Sequence, residues 1–115
     1  MIAYLGANMK KTHINILDSL IQQIACTRLS YLSYKQAECG HHLIGRRDLL
    51  HRWNIENIVP LTLKEHNKVH TGEIKLDVKK PTNNLMFKDY LLLNGWTDED
   101  FFKIKKKELE DVLNA

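Results

Sequence analysis

Apolar residues recur at intervals of three and four from residue 14 onward, which is the period of one face of an α-helix. The stripe consists of Ile14, Leu17, Leu20, Ile21, Ile24 and Ala25. It predicts an amphipathic helix over about 14–30 that buries this face. Residues 1–12 show no comparable period, so we expect them to form an N-terminal tail.

Two more helices are predicted near the end of the chain. Apolar positions favour a helix over about 83–94, which the pair Asn94-Gly95 ends. Thr97 and the three acidic residues after it resemble a helix N-cap, because carboxylates are favourable at the positive end of a helix dipole. A last helix is therefore expected over about 98–113, and both helices are interpreted as packing elements.

The middle of the chain has no lasting helical period. Short runs predict a strand around 36–43 and a second strand over 58–61, where Pro60 suits the edge of a sheet. The residues between them, 45–57, contain glycine, asparagine and three arginines, and we predict that they form a loop. Long ordered loops in small domains tend to be functional.

A short helix is predicted directly after the second strand. Thr62 and Glu65 have the spacing of a capping box, in which the hydroxyl and the carboxylate each bind a free backbone N–H. Gly72 tolerates the positive φ at which helices commonly end, so this helix is limited to about nine residues.

The composition indicates one small domain. The chain has 115 residues, 43% of them hydrophobic, which suffices for one modest core and predicts a single domain over 13–115. A net charge of +3 suits a polyanionic partner without identifying one. Cys26 and Cys39 have no CxxC neighbour, which argues against a zinc ribbon and predicts free thiols. No membrane span or secretory segment is evident, so we expect a cytoplasmic protein without a membrane partner.

Four of the six histidines form two pairs, His41-His42 and His66-x-x-x-His70. His66 and His70 lie one turn apart on the predicted short helix, so both can bind one metal ion. Neighbouring residues of a strand point to opposite faces, so one of His41 and His42 can bind the ion while the other is free for a catalytic role. The remaining two, His13 and His51, are interpreted as ordinary surface or core residues.

The stretch from Cys39 to Arg47, then 57–61 and the pair of histidines at 66 and 70, resembles the HNH, or ββα-metal, nuclease family. The match covers about a third of the chain, and its spacings are similar to those of the nuclease colicins. A looser similarity, which includes Leu17 to Leu20 and the pair Arg52-Trp53, is to phage recombination nucleases of the NinG/Rap kind. The resemblance implies an α+β fold in which a small ββα-metal finger, over about 36–72, packs among flanking α-helices.

The resemblance also implies roles for individual residues. It makes His41, His66 and His70 the metal ligands and His42 the general base. It gives Asn57 the task of pinning the loop backbone and so orienting the base. Many members of the family carry two CxxC knuckles that hold the finger through a structural zinc. This chain has no such knuckles, so we expect helix packing to hold the finger.

The implied activity is metal-dependent hydrolysis of DNA phosphodiester bonds, in phage or prophage DNA processing or recombination. Three imidazoles favour Zn, Ni, Co or Mn over Mg as the divalent ion. Arg46, Arg47 and Arg52 are expected to bind phosphates, since guanidinium groups bind phosphate oxygens bidentately. Trp53 is expected to pack under the loop, and the lysines at 105–107 to lie on a solvated face. Branched or partly single-stranded DNA is among the candidate substrates, and the oligomeric state is left open, a dimer included.

Two other functions remain open at this point. The four paired histidines can hold a structural zinc in a noncatalytic nucleic-acid-binding module, although strand alternation disfavours His42 as a fourth ligand. A toxin-like nuclease that cuts DNA without specificity is the other alternative, and it implies a cognate inhibitor and a delivery partner.

Overall fold

Five α-helices and two β-strands make up the part of the chain that the computed structural model describes, residues 9–82 and 85–115. A 3₁₀ turn, Ile55–Asn57, precedes the second strand. In chain order the elements are α1 (Lys11–Cys26), β1 (Cys39–His42), α2 (Leu49–Arg52), β2 (Ile58–Leu61), α3 (Leu63–His70), α4 (Phe87–Asn94) and α5 (Asp98–Leu113). The expected α+β class is confirmed.

The first helix buries the predicted stripe from Leu17 onward and partly buries Ile14, but its bounds differ from the prediction. It begins at Lys11, and Met9 just before it is buried in the core, so residues 9–12 do not form a tail. The rest of the predicted tail, 1–8, lies outside the described residues. The helix ends at Cys26 instead of about residue 30, because the Thr27 hydroxyl donates to the Ile24 carbonyl and the chain then turns into an isolated bridge between residues 29 and 36.

The hydrophobic core lies mainly between α1 and α5, which are each sixteen residues long. The ring of Phe101 contacts Phe87 edge to face, with ring centroids 4.9 Å apart, and it also meets Trp53 at 6.0 Å. Trp53 is fully buried beneath the loop, as predicted. Phe102 is also part of the core, and the remaining core residues, which include Leu17, Ile21, Ile24 and Leu109, are mostly aliphatic.

The two strands pair antiparallel, with Gly40 opposite Pro60 and His41 opposite Val59. The Pro60 carbonyl points away from β1 and accepts from the Tyr31 N–H at 2.9 Å, so the missing proline N–H removes no bond from this two-stranded sheet. α1 packs closely on β1, since a Cβ on Gly40 would lie 2.5 Å from the Ile58 side chain and 2.9 Å from that of Ala25. Only glycine fits at this position.

The segment 45–57 is not the irregular loop that the sequence predicted, because it contains α2 and the 3₁₀ turn. Each of these begins at a short polar side chain. The Asp48 carboxylate accepts from the Leu50 N–H at 3.1 Å, and the Asn54 side chain accepts from the Glu56 N–H at 3.1 Å. Such local caps stabilise single turns that have no apolar period to reveal them.

The remaining helices follow their predicted caps. The capping box at Thr62 starts α3, which has eight residues and is followed by Gly72 at φ 82°. α5 spans 98–113 as predicted, after its own capping box at Thr97. α4 ends before Gly95 as predicted but begins at Phe87, and residues 83–84 of its predicted start lie outside the described part.

Two further expectations concern the cysteines and the membrane. Cys26 and Cys39 are both free thiols, as predicted. Within 9–82 and 85–115, no helix has the length and apolar character needed to cross a bilayer.

Candidate metal centre

Three histidines from two separate elements meet at one point. His41 lies on β1, while His66 and His70 lie one turn apart on α3. Ring nitrogens of all three lie within 4.8 Å of one another. The two on the helix are closest, with Nε2 of His66 3.0 Å from Nε2 of His70. The fold thus brings together the three residues that the sequence analysis assigned as metal ligands.

The geometry and chemistry of this cluster fit a transition-metal ion. Nitrogen ligands of a tetrahedral zinc site lie at about 2.0–2.1 Å from the ion and hence about 3.3 Å from each other, close to the separation of His66 and His70. Imidazole binds metals in its neutral form. Burial lowers the pKa of His41, as do the neighbouring histidines, and burial together with His70 lowers the pKa of His66. Both rings are therefore held in the form that binds a metal.

Polar contacts fix the N-terminus of α3, which buries none of its own residues. The Thr62 N–H donates to Glu65 Oε1 at 2.8 Å, and the Glu65 N–H donates to the Thr62 hydroxyl at 3.2 Å. The buried Ser30 hydroxyl donates to the same carboxylate oxygen. Burial raises the pKa of Glu65, but hydrogen bonds from Ser30, Ser33 and Thr62 outweigh it and lower the pKa to about 2. The ionised Glu65 therefore ties α3 to the segment that follows α1.

His42 stands apart from the three-histidine cluster. Its Nε2 lies 3.0 Å from the carbonyl oxygen of Arg52. A carbonyl oxygen can only accept, so in the neutral ring Nε2 carries the proton and Nδ1 has a free lone pair. Burial lowers the pKa of His42, the Arg52 carbonyl raises it, and the charges of Arg46 and Arg52 lower it, so that the net direction is downward. The ring is then neutral at physiological pH, as a general base must be.

Asn57 is fully buried and joins distant parts of the loop. Its Oδ1 accepts from the Ile44 N–H at 2.8 Å, and its Nδ2 donates to the Ile44 carbonyl at 3.0 Å. The same Nδ2 donates to the His51 carbonyl at 3.1 Å. Asn57 thus pins the loop backbone, as expected, at Ile44 and at His51, which are two residues after His42 and one residue before Arg52.

The three arginines of the loop differ in availability. Arg52 donates from Nε and Nη2 to Asp18 at 3.0 and 2.8 Å, and only 19% of its side chain is exposed. Arg46 donates to Asp18 at 3.0 Å but is 58% exposed. Arg47 is exposed and forms no ion pair within the described residues. The structure thus does not support Arg52 as a phosphate ligand, because its guanidinium is engaged within the protein, whereas Arg46 and Arg47 are accessible to an anion.

The residues expected to have ordinary roles lie outside the cluster. His13 stacks on Phe102 with ring centroids 3.8 Å apart, and His51 is buried with Nδ1 2.9 Å from Asp48. Three lysines of α5, at 105–107, each pair with a carboxylate of the same helix. Lys107 is exposed, as expected of a solvated face, whereas only 17% of the Lys105 side chain is exposed and its Nζ lies 5.9 Å from the centre of the Phe101 ring.

Asp18 is the residue whose importance the sequence analysis missed. It accepts hydrogen bonds from Arg46, Arg52 and the Trp53 indole. Burial raises the pKa of Asp18, but the hydrogen bonds from Arg52 and Trp53 and the nearby positive charges outweigh it and lower the pKa. Its position on the helix is a signal that was available, because it lies four residues after Ile14 and three before Ile21, beside the apolar stripe. A carboxylate there needs partners from elsewhere in the fold.

Comparison of the chain with family models, curated proteins and solved structures found no match. The likeness to HNH nucleases therefore remains an interpretation of residues and their spacing.

Proposed function

We propose that this chain is an HNH-type endonuclease that hydrolyses DNA phosphodiester bonds with the help of one divalent metal ion. In this proposal β1, β2 and α3 form the ββα-metal finger, and the flanking helices support it. His41, His66 and His70 would hold the ion, and His42 is the general base. Asn57 supports the loop behind that base.

The orientation of His42 is the observation that carries the proposal. The carbonyl of Arg52 holds its Nε2–H, so Nδ1 is the ring nitrogen left to take a proton. His42 is also the direct neighbour of His41, which belongs to the cluster. A base held by the protein next to a group of metal-binding side chains is the arrangement that metal-assisted hydrolysis requires.

The reaction follows from these positions. His42 Nδ1 takes a proton from water, the water oxygen forms a bond to phosphorus, and the bond from phosphorus to the 3′ oxygen breaks. The leaving oxygen takes a proton from solvent, so the products carry a 5′-phosphate and a 3′-hydroxyl. A divalent ion bound at the cluster supplies positive charge that stabilises the developing charge on the phosphate and leaving oxygens. Arg46 and Arg47 are accessible to bind neighbouring phosphates.

The biological setting that we propose is DNA processing or recombination in a phage or prophage. Its support is the looser likeness of the region around Leu17 to Leu20 and of Arg52-Trp53 to phage recombination nucleases. The contacts of Asp18, Arg52 and Trp53 show that these two stretches meet in the fold. The two stretches that resemble these nucleases, far apart in the sequence, therefore lie next to each other in the fold.

A closed structural zinc site is the main alternative, and the geometry disfavours it. Such a site needs four protein ligands. Within the described residues, the candidate metal group contains three histidines, and His42 is engaged with a backbone carbonyl instead. An open coordination position is typical of catalytic sites.

A cleavage assay tests the proposal. Metal-free protein is incubated with supercoiled plasmid, and Mn, Ni, Co, Zn or Mg is added in turn to wild type, His42→Ala and the control His13→Ala. We expect wild type and the control to nick the plasmid, and His42→Ala to bind the ion normally but cleave about 10²–10⁴-fold more slowly. Calorimetric titration with the same ion measures the binding.

Two results contradict the proposal. If wild type is inert with every ion on plasmid and on branched DNA, the chain is not a nuclease of this kind. If His42→Ala abolishes ion binding, His42 is a ligand and the structural zinc site is favoured. Comparing branched and linear duplexes in the same assay distinguishes a structure-selective nuclease from one that cuts DNA without specificity.

A further inference from the structure

Asp18 binds the side chains on both sides of one particular peptide bond. Its Oδ1 accepts from Arg52 Nε at 3.0 Å and from Trp53 Nε1 at 2.8 Å. Its Oδ2 accepts from Arg52 Nη2 at 2.8 Å and from Arg46 Nη2 at 3.0 Å. The Asp18 carboxylate on α1 therefore restrains the peptide group between Arg52 and Trp53 through hydrogen bonds from the side chains of both residues.

The carbonyl of this same peptide group holds His42. The Arg52 oxygen lies 3.0 Å from His42 Nε2. A displacement of this peptide would move or release the imidazole, because a hydrogen bond weakens steeply when its angle and length depart from the favourable range. The position of the His42 ring therefore depends on what fixes Arg52 and Trp53.

The helix that carries Arg52 cannot fix the peptide by itself. α2 has only four residues, Leu49–Arg52, and one turn of helix has little stability of its own. Asn57 holds the preceding carbonyl, that of His51, but no contact of Asn57 reaches the Arg52 oxygen. Burial of the Trp53 ring constrains one side of the peptide, and Asp18 adds polar contacts to Arg52 and Trp53 from a long helix whose residues Leu17 and Ile21 are buried in the same core.

We propose that Asp18 is a positioning residue for the general base: it holds Arg52 and Trp53 so that the carbonyl between them keeps His42 in the orientation needed for proton transfer. This inference rests on the proposed function, since it assigns a purpose to the orientation of His42. It adds a residue outside the finger, on a helix that the likeness to HNH nucleases does not include in its metal-binding pattern.

The substitution Asp18→Asn tests this contact with little change in shape. Asparagine keeps one oxygen for the Trp53 indole and Arg52 Nε, but it replaces the oxygen that accepts both arginine Nη2 groups with an N–H donor. The fork to Arg52 is thereby broken. Asp48→Asn is the matched control on the same short helix: the amide oxygen keeps the cap on the Leu50 N–H, and the amide nitrogen can donate to Nδ1 of a neutral His51 ring, which the Asp48 carboxylate contacts at 2.9 Å.

The first measurement is independent of catalysis. The ring Nε2–H of His42 is followed by proton–nitrogen NMR in the full chain at a pH where the imidazole is neutral. We expect exchange of this proton with water to be at least about fivefold faster in Asp18→Asn than in wild type, the factor that corresponds to one hydrogen bond of ordinary net strength. Asp48→Asn should exchange at the wild-type rate.

The second measurement separates positioning from stability and from substrate binding. With the ion that best supports wild-type cleavage, we expect kcat of Asp18→Asn to fall about 10- to 100-fold, as is usual when a partner behind a functional group is removed. KM should stay constant or fall, because Arg46 also loses its carboxylate partner and becomes freer to bind phosphate. Affinity for the ion should not change.

The outcomes are distinct. If Asp18→Asn unfolds at a lower temperature while His42 exchange and kcat match those of Asp48→Asn, Asp18 is merely structural and the inference is overturned. If Asp18→Asn does not fold, Arg52→Lys takes its place, since lysine keeps the charge but cannot span both carboxylate oxygens. An unchanged His42 exchange rate in that variant also overturns the inference. If wild type cleaves nothing, the proposed function fails, yet the exchange rates still decide whether Asp18 orients His42.

Discussion

Helices α3 and α5 begin in the same way but are held in the fold by different forces. Both start with a complete capping box, at Thr62 and at Thr97. α5 buries Phe101, Phe102 and Leu109, whereas α3 buries no residue at all. α5 is thus held by apolar packing, and α3, which carries two of the cluster histidines, is held by polar contacts at one end.

This difference has a physical reason in the site itself. Under the proposed function, a helix face that is to offer two imidazoles to a metal ion near bound DNA cannot also be an apolar face in the core. The N-terminus of α3 compensates with Glu65, which Ser30 binds, and with the Glu38 carboxylate, which accepts from the Leu63 N–H at 3.1 Å. The cluster therefore lies on an element of low intrinsic stability, as is common for binding sites.

The largest expected effect is on the free energy of unfolding, when an apolar side chain of α5 is removed and compared with the same kind of change in α3. We expect Leu109→Ala to lower the free energy of unfolding by about 2–5 kcal/mol, because a fully buried leucine leaves a cavity. Val69→Ala on α3 should lower it by less than about 1 kcal/mol, since this side chain is only partly buried. Urea denaturation of both variants checks the comparison. A loss at Val69 equal to that at Leu109 would show that α3 is packed into the core after all.

An intermediate effect is expected from the capping carboxylates. The folded pKa of Glu65, about 2, lies below its ordinary value of 4.5, so its contribution to stability is present above about pH 4.5 and is lost as the pH falls towards 2. We expect Glu65→Gln to lower stability at neutral pH by about 1 kcal/mol, the usual contribution of such a cap, and the gap to close in acid.

The matched variant for Glu65→Gln is Asp100→Asn in the capping box of α5. Hydrogen bonds from the Thr97 backbone and side chain also lower the pKa of Asp100. The Asp100 side chain is exposed, however, and α5 is held by its packed apolar face as well as by its cap. Only Glu65→Gln should also weaken binding of the divalent ion, because only α3 carries cluster histidines. Thermal unfolding between pH 2 and 7 and ion titration measure the two effects. Equal loss of ion affinity in both variants would contradict the idea that the cap positions α3.

The smallest effect is expected from lysines on the two helices. Lys106 and Lys107 are paired with carboxylates of α5, whereas Lys64 and Lys68 on α3 have no carboxylate partner within the described residues. Double substitution of Lys64 and Lys68 by alanine should reduce the salt dependence of DNA binding by about 1 to 2 units of slope. The same change at Lys106 and Lys107 should leave the salt dependence unaltered. Fluorescence anisotropy at several salt concentrations provides the slopes, and the reverse order would place the DNA on α5.

Much of the helical framework was accessible from local patterns. The capping box at Thr62 and the N-cap at Thr97 predicted the starts of α3 and α5, and glycines at 72 and 95 marked the ends of α3 and α4. The prediction failed where a single turn depends on one polar side chain, as at Asp48 for α2, and where a distant pairing ends a helix early, as after Cys26. Neither feature has a hydrophobic period that a sequence pattern could detect.

The sequence by itself determined that His66 and His70 share one helix face, because residues four apart on a capped helix are neighbours by local geometry. Only the tertiary structure decided that His41 joins them, which requires α3 to lie against β1. It also decided which nitrogen of His42 is free. Likewise, only the tertiary structure brings Asp18 to Arg52, thirty-four residues later in the chain, whose carbonyl contacts His42. Contacts over such separations depend on how the helices and the sheet pack together, and no local spacing records them.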